Sequence, residues 1–456
     1  LEVIPVDQRL EQIHDHLIDL LEAKDFLAIK ALLSAQESID VADLLNQIPP
    51  AVRVLLFRLL PKDQAIEVFE FMEGDEREDL LAHFTDGEVA EIILDMSDDD
   101  RTELFDELPA KTVKKLLLHL PAEERTLANS LLNYPEGSTG RVMTPEFIDL
   151  KADLTAAQAL QVIRRQARSK ETIYTSFVVD GSRRLLGAVS LEDLILSDPE
   201  VSIKKLMDDD PVSVVTTTDQ EEAAQVISRY DLQALPVVDK ERRLVGIVTF
   251  DDVLDIVEEE ATEDFQRMAG IEPTDEGYLD TGLFTLARKR FTWLLVCIVT
   301  QILTSSILEN YSEALESAIA LAFFIPLIID TGGNAGTQSA TLFIRSMTLG
   351  DIEAKDLPRV FLRETATGLL LGGAMALLAV GRVLLLGTGA AVALTVAIAL
   401  VAVVLLGNLA GILLPLTARA LKVDPAIMSG PFITTVVDVA GLIVYFEVAR
   451  RLLVPA

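Results

Sequence analysis

The stretch Pro431–Tyr445, PFITTVVDVAGLIVY, decides how the rest of the chain is read. It is apolar apart from its threonines and predicts a membrane-spanning helix, yet it carries one carboxylate, Asp438, near its middle. A charge at that depth costs about 3 kcal/mol or more unless it faces a partner, water or an ion. Asp438 is therefore a candidate functional residue. The competing expectation is a displaced span whose Asp lies at a helix end.

Working outward, five apolar spans are expected: Phe291–Leu308, Ala318–Ile344, Thr365–Leu386, Ala391–Ala418 and Pro431–Val448. Each is long enough to cross about 30 Å of hydrocarbon at about 1.5 Å per residue. Basic residues fall at Arg288, Lys289 and Arg290, at Arg345, Lys355, Arg359 and Arg363, and at Arg419 and Lys422. These are alternate loops, which predicts cytoplasmic N-terminal domains and an external C-terminus; Arg450 and Arg451 are the exception. The second span contains Asp330-Thr331-Gly332-Gly333-Asn334-Ala335-Gly336-Thr337-Gln338-Ser339 after Pro326. Polar or irregular backbone at that depth is tolerated only against protein or a water-filled cavity. The fourth span carries Gly407-Asn408, Gly411 and Pro415, which predicts a kink. Close helix packing is the alternative use of such glycines.

The 456 residues carry a formal charge of −33, unevenly placed. Residues 1–280 hold 61 acidic and 27 basic side chains, whereas the remainder holds 11 and 12. An acidic soluble part is thus joined to a nearly neutral apolar one. That balance argues against nucleic acid as a partner, because phosphate binding needs a basic face. It suits cations or solubility. A single cysteine, Cys297, excludes an intrachain disulfide framework, and four scattered histidines offer no zinc spacing. Residues 1–21 predict an amphipathic charged helix rather than a signal peptide.

From Leu44 to Leu132 the sequence repeats every twelve residues. Apolar Ile48, Leu60, Met72, Phe84, Met96, Leu108 and Leu120 each precede a helix-start signal, such as Pro61-Lys62-Asp63, Glu73-Gly74-Asp75 or Ser97-Asp98-Asp99. Proline suits the first helical position and Ser, Thr or Asp the cap. Short helices stacked as hairpins into an all-α superhelix are expected. The carboxylates at Asp95, Asp98, Asp99 and Asp100 are either a solvated cap or a divalent-ion site.

A second repeat follows. Val178-Val179-Asp180 and Leu186-Gly187-Ala188-Val189-Ser190-Leu191-Glu192-Asp193 recur 59 residues later as Val237-Val238-Asp239 and Val245-Gly246-Ile247-Val248-Thr249-Phe250-Asp251-Asp252. The copies open with Val142-Met143-Thr144 and Leu206-Met207-Asp208. Strand, turn, strand and a helix capped at Ser190 or Thr249 are expected. The doubled pattern resembles a tandem pair of CBS domains. In that family such pairs often bind adenine nucleotides, so Asp193 and Asp252 are the implied ATP ligands; a pair used only for packing is the alternative. The first copy departs by a basic insertion at Arg164–Lys170, so the two clefts need not be equivalent. An acidic run then leads to the first span, with Asp255, Glu259 and Glu263 four apart and repelling on one helix face.

The whole order resembles the MgtE family of magnesium channels and transporters. The resemblance rests on the helical superhelix, the CBS pair, the acidic connector, the motif from Pro326 to Gln338, and Asp424-Pro425-Ala426 ahead of Asp438-Val439-Ala440-Gly441. It implies a multidomain α, α/β and membrane fold: a superhelical domain at 1–138, CBS domains at 139–200 and 201–258, a long connecting helix at 259–287, and a five-helix transmembrane bundle at 288–456. It implies a homodimer in a bacterial cytoplasmic (inner) membrane. The ion path would be lined by Pro326, Gly332, Gly333, Asn334, Gln338, Thr434 and Thr435, with Asp438 holding hydrated Mg2+. Regulatory Mg2+ would bind Asp98 or Asp99, Glu221, Asp231, Asp252, Asp255, Glu260, Glu263, Asp264 and Asp424, and favour closure. ATP at the CBS pair would modulate it. Two departures from the family pattern are Asp330, where an uncharged residue is expected, and Gly430, where many relatives have Asn. The alternatives are a channel for Mn2+ or Co2+, or a non-conducting magnesium or nucleotide sensor. No nucleophile–base pair or phosphate loop suggests an enzyme.

Overall fold

In the computed structural model the described residues are 6–72, 74–274, 278, 281–312, 315, 319–428 and 430–453. Glu73 of the third helix-start signal and Ala318 at the start of the second expected span lie outside them. The chain divides into two compact units, Leu1–Val257 and Glu258–Ala456.

Helices of the first unit follow the twelve-residue period. They include Pro50–Phe57, Lys62–Glu70, Gly74–His83, Asp86–Asp95, Asp98–Glu107, Ala110–His119 and Ala122–Leu132. Pro49, Pro61, Pro109 and Pro121 stand at helix N-caps. Thr85 forms a capping box with Glu88, and Ser97 accepts from the Asp100 amide. Each such cap contributes about 1 kcal/mol. The apolar residue ahead of each signal is the core itself. Ile48, Leu60, Met72, Met96, Leu108 and Leu120 are buried in one cluster, with Phe84 packed against it. Burying each such side chain stabilises the fold by about 1.5–3 kcal/mol, so the repeat in sequence is the repeat of the core.

Two three-stranded sheets follow among the described residues. One is β1 (Asp149–Leu150), β2 (Thr175–Val179) and β3 (Leu185–Ser190); the other is β4 (Val214–Val215), β5 (Ala234–Val238) and β6 (Leu244–Thr249). In each, the first pair is parallel and the second antiparallel. Asp180 accepts amide bonds from Ser182 and Arg184, and Asp239 from Glu241 and Arg243. These turns place Arg183 and Arg242 both at φ 62°. The copies then exchange their opening segments. Thr144 bridges to Ile247 of the second copy, and Asp208 bridges to Ala188 of the first. The repeated glycine makes this exchange possible. A Cβ at Gly187 would lie 2.5 Å from the Asp208 carbonyl oxygen, and one at Gly246 would lie 2.6 Å from Met143 Sδ.

The connecting helix occupies Phe250–Met268, not 259–287. It starts early because Asp252 accepts bonds from both the amide and the hydroxyl of Thr249, which caps the first turn at the end of β6. It stops early at Gly270 (φ 72°), where the Ile271 amide reaches back to the Gln266 carbonyl and the Gly270 amide to that of Arg267. That is the hydrogen-bond pattern of a left-handed glycine stop. Pro273 lies just beyond.

Five helices in the second unit are long and apolar enough to cross a membrane: Leu283–Asn310, Ile319–Thr348, Ala354–Leu386, Ala390–Ala420 and Pro425–Leu453. All five expected spans are present, each extended at one end or both. The second is α-helical from Ile325 through its whole polar stretch, and the fourth stays helical through Pro415. The second, fourth and fifth spans bury a shared core that includes Ile328, Val403, Ile433, Val437 and Phe446.

Candidate functional site

The second span is two-faced. Gly332 and Gly336 are buried, whereas Pro326, Asp330, Asn334 and Gln338, four residues apart in turn, are exposed along one stripe. On the buried face two Gly-x-x-x-Gly pairs interlock, Gly332–Gly336 of the second span and Gly407–Gly411 of the fourth. A Cβ at Gly407 would stand 2.5 Å from the Gly332 carbonyl oxygen, and one at Gly411 2.6 Å from that of Gly336. Only hydrogen at these positions lets the backbones approach so closely.

Gly333 turns toward the fifth span. A Cβ there would meet Thr434 Cγ2 at 3.2 Å and Asp438 Oδ1 at 3.4 Å. Asp438 is half-buried beside that glycine, and Asp330 is the charged group whose field reaches it. Asn334 donates to both the backbone and the carboxylate oxygens of Asp330 at 2.9 and 3.1 Å. Thr434 and Thr435 are half-exposed and return their hydroxyls to the Pro431 carbonyl. Carboxylates, amides and hydroxyls are thus gathered along the facing edges of two otherwise apolar helices. Such groups solvate a hydrated cation through its outer shell.

A second polar cluster lies behind this face; Ser339 and Asn408 stand out in the sequence, whereas Glu364 does not. Glu364 of the third span accepts from Ser339 Oγ at 2.9 Å and Asn408 Nδ2 at 3.0 Å, joining three spans. Ser339 also donates to the Asn408 carbonyl at 3.1 Å. Glu364 stands at the edge of its apolar run beside Arg363, so sequence alone presents it as an ordinary interfacial acid.

In the first unit the expected sensing residues separate. Asp98 is held by the buried Arg101, which also pairs with Glu124. Asp99 instead faces Asp252, Asp100 and Glu171, and its Oδ1 is buried without a hydrogen-bond partner. Burial, and then the neighbouring Asp252 charge, raises the Asp99 carboxyl well above its ordinary range. Burial lifts Asp252 to about 6, against the bonds from Thr249 that pull it down. Glu70 and Glu171, both missed in sequence, are pushed up to about 7 by burial, then by Asp100 and Asp252 respectively. Crowding of carboxylates with raised proton affinity is what a bound cation relieves. Among the described residues no three acidic side chains already form a metal-holding group.

Ser190 caps the helix that carries Asp193, accepting from the Asp193 amide at 3.0 Å and donating its hydroxyl to the Asp193 carboxylate at 2.6 Å, and Asp252 accepts the matching hydroxyl bond from Thr249 in the second copy. Glu221 and Asp231 stand at opposite ends of the helix Gln220–Tyr230, about 15 Å apart at 1.5 Å per residue, so one ion cannot bridge them. Asp255 is exposed, and its charge reaches Glu103.

In the second unit Glu263 and Asp424 both pair with Arg267. Asp264 is raised to about 6 by burial and then by Asp424 and Glu260, with Arg345 opposing. Sequence reasoning grouped these acids and overlooked the arginine between them.

Five helices apolar enough to cross a membrane, with Asp330 and Asp438 on two of them, fit an integral membrane transporter. Residues 325–448 match the family model for MgtE divalent cation transporters, 36–137 that for the MgtE intracellular N domain, and 140–199 and 203–259 that for the CBS domain. The magnesium transporter MgtE of Thermus thermophilus is 39% identical over 447 residues, covering 97% of this chain and 99% of that protein. That of Bacillus subtilis is 31% identical over 436 residues, covering 93% and 96%. The chain belongs to the MgtE family. The crystal structure of the soluble part of a magnesium transporter aligns with a TM-score of 0.52 at 31% identity, over 55% of this chain and 99% of that one. The cytosolic domain of the Mg2+ channel MgtE in complex with ATP aligns with a TM-score of 0.52 at 34% identity, over 53% and 99%.

Proposed function

We propose that this protein conducts Mg2+ across a bacterial cytoplasmic membrane as a homodimer, with its N-terminal domains in the cytosol. The carrying observation is the exposed stripe of Asp330, Asn334 and Gln338 beside half-buried Asp438, on helices otherwise apolar enough for lipid. Left against hydrocarbon, each carboxylate costs about 3 kcal/mol or more. A second copy of the same face, related by a two-fold axis, removes that cost by enclosing water between the two seams. Two Asp438 side chains then present a symmetric anionic ring. Mg2+ sheds its water shell reluctantly, so carboxylate and amide oxygens recognise the hydrated ion by outer-shell bonds and let it pass.

Cytosolic Mg2+ would also close the path. The crowded carboxylates around Asp99 and Asp252, and those at Glu263, Asp264 and Asp424, each favour a bound divalent ion. Mg2+ that binds the closed arrangement more tightly than the open one must favour closure. ATP would enter at the CBS pair near Asp193 and Asp252, supported by the relative whose cytosolic domain was crystallised with it.

The decisive test is Mg2+ uptake into liposomes holding purified protein, compared with Asp438→Ala. Loss of uptake with the dimer intact on size-exclusion chromatography is expected. Full selective uptake by Asp438→Ala would remove the residue from the path, and no uptake by wild type would leave a non-conducting sensor.

A further inference from the structure

The end of the connecting helix is seated within the second unit by three adjoining contacts. Arg267 is bracketed by Glu263 on its own helix and by Asp424 in the segment leading to the fifth span. One residue on, the Met268 carbonyl oxygen sits where a Cβ on Gly430 would be 2.7 Å away, at the first turn of the helix that carries Asp438. Two residues further, Gly270 lies against Trp293 of the first span, so that a Cβ would meet Trp293 Cδ1 at 2.7 Å. Trp293 in turn packs on Phe432, with ring centroids 6.3 Å apart.

We propose that Arg267 is a resident cation: it holds the connecting helix on the mouth of the fifth span without a metal, in the place where this family of acids otherwise calls for Mg2+. The proposal rests on the reading that Mg2+ closes the path, and it deepens that reading. Glu263 and Asp424 pair with Arg267, and the charges of Asp424 and Glu260 reach the neighbouring Asp264. The single guanidinium bonds two of these acids and leaves the cluster anionic, so it lowers the demand for a divalent ion without abolishing it. Asp424 is further committed, since its second oxygen accepts from the Ala426 amide at 2.8 Å. Gly430 is the steric half of the latch, because any side chain there displaces the Met268 carbonyl. The arginine therefore sets the fraction of closed channels at low Mg2+, and Mg2+ adds to it.

The test is single-channel recording of the full-length protein in planar bilayers, with Mg2+ on the cytosolic side raised from nominally zero. For Arg267→Gln we expect an open probability roughly 3- to 10-fold above wild type at zero Mg2+. It should converge on wild type at saturating Mg2+, with a steeper Mg2+ dependence as the ion takes the vacated place. Arg267→Lys, which keeps the charge, stays within about twofold of wild type. Gly430→Ala raises opening at zero Mg2+ and keeps the wild-type steepness, because it moves the helix end without removing a charge. Equal opening of Arg267→Gln and wild type at zero Mg2+ overturns the latch. So does an Arg267→Gln channel that stays open at saturating Mg2+ while wild type closes. If wild type itself ignores Mg2+, the gating reading falls, and the zero-Mg2+ ratio alone decides the latch.

Discussion

Gly333 of the second span lies directly beside Asp438 of the fifth, close enough that a methyl group on the glycine would touch the carboxylate at 3.4 Å. The absence of a side chain there keeps the acid open toward the seam. Gly333→Val should fill that space, press on Thr434 and cut Mg2+ uptake in liposomes by about tenfold or more, while the protein still folds and dimerises. Uptake within twofold of wild type would show that Asp438 acts from another face.

Gly407 has no room for any side chain, since its Cβ would stand 2.5 Å from the Gly332 backbone oxygen. Gly407→Ala should therefore cost about 1–3 kcal/mol through overpacking. A lower thermal unfolding midpoint in detergent would report it. Gly387→Ala, at a positive φ of 66° but in open space, separates backbone strain from the loss of close approach.

Arg101 is almost fully buried and pairs with Asp98 and Glu124. Arg101→Ala leaves Asp98 buried without its cation, at a cost of about 3–5 kcal/mol. Denaturant unfolding should show it. The paired change Arg101→Met with Asp98→Leu should recover most of the loss, because the pair itself contributes little net stability.

The acids Asp99, Asp252, Glu70 and Glu171 all have raised proton affinity in the folded protein. The folded state then binds more protons than the unfolded one between the ordinary carboxylate range and about pH 7. Without Mg2+, stability should thus be greatest below that range and fall as pH rises through about 6 to 7. Added Mg2+ should flatten the fall. Asp99→Asn should be more stable than wild type at pH 8 in chelator, by roughly 1 kcal/mol or more, the equivalent of one pKa unit. Urea midpoints at pH 5, 6 and 8 check both, and a rise of stability with pH would refute the cluster.

Much of the fold was legible because each element repeats or stretches in a way that only one geometry satisfies. The apolar residue every twelve positions is the core of the helical domain, and the doubled glycine of the CBS pair is where the two copies cross. The connecting helix was misjudged for a local reason. Its acidic run continues past the stop at Gly270, and charge spacing alone does not reveal a left-handed glycine. Glu364, Glu70 and Glu171 were not singled out, since an acid near a helix end or in a loop looks the same whether it is solvated or crowded.

The sequence by itself determined that this chain is an acidic two-repeat region joined to five spans, with a carboxylate at membrane depth. Hydrophobic length and periodicity are properties of the chain, and they need no knowledge of neighbours. Only the tertiary structure decided which carboxylates meet. Asp98 and Asp99 are adjacent in sequence, yet one is neutralised by Arg101 and the other is left against Asp252. Arg267 and Asp424 are 157 residues apart and form an ion pair. Electrostatic energy depends on distance and burial, and those exist only once the chain has folded.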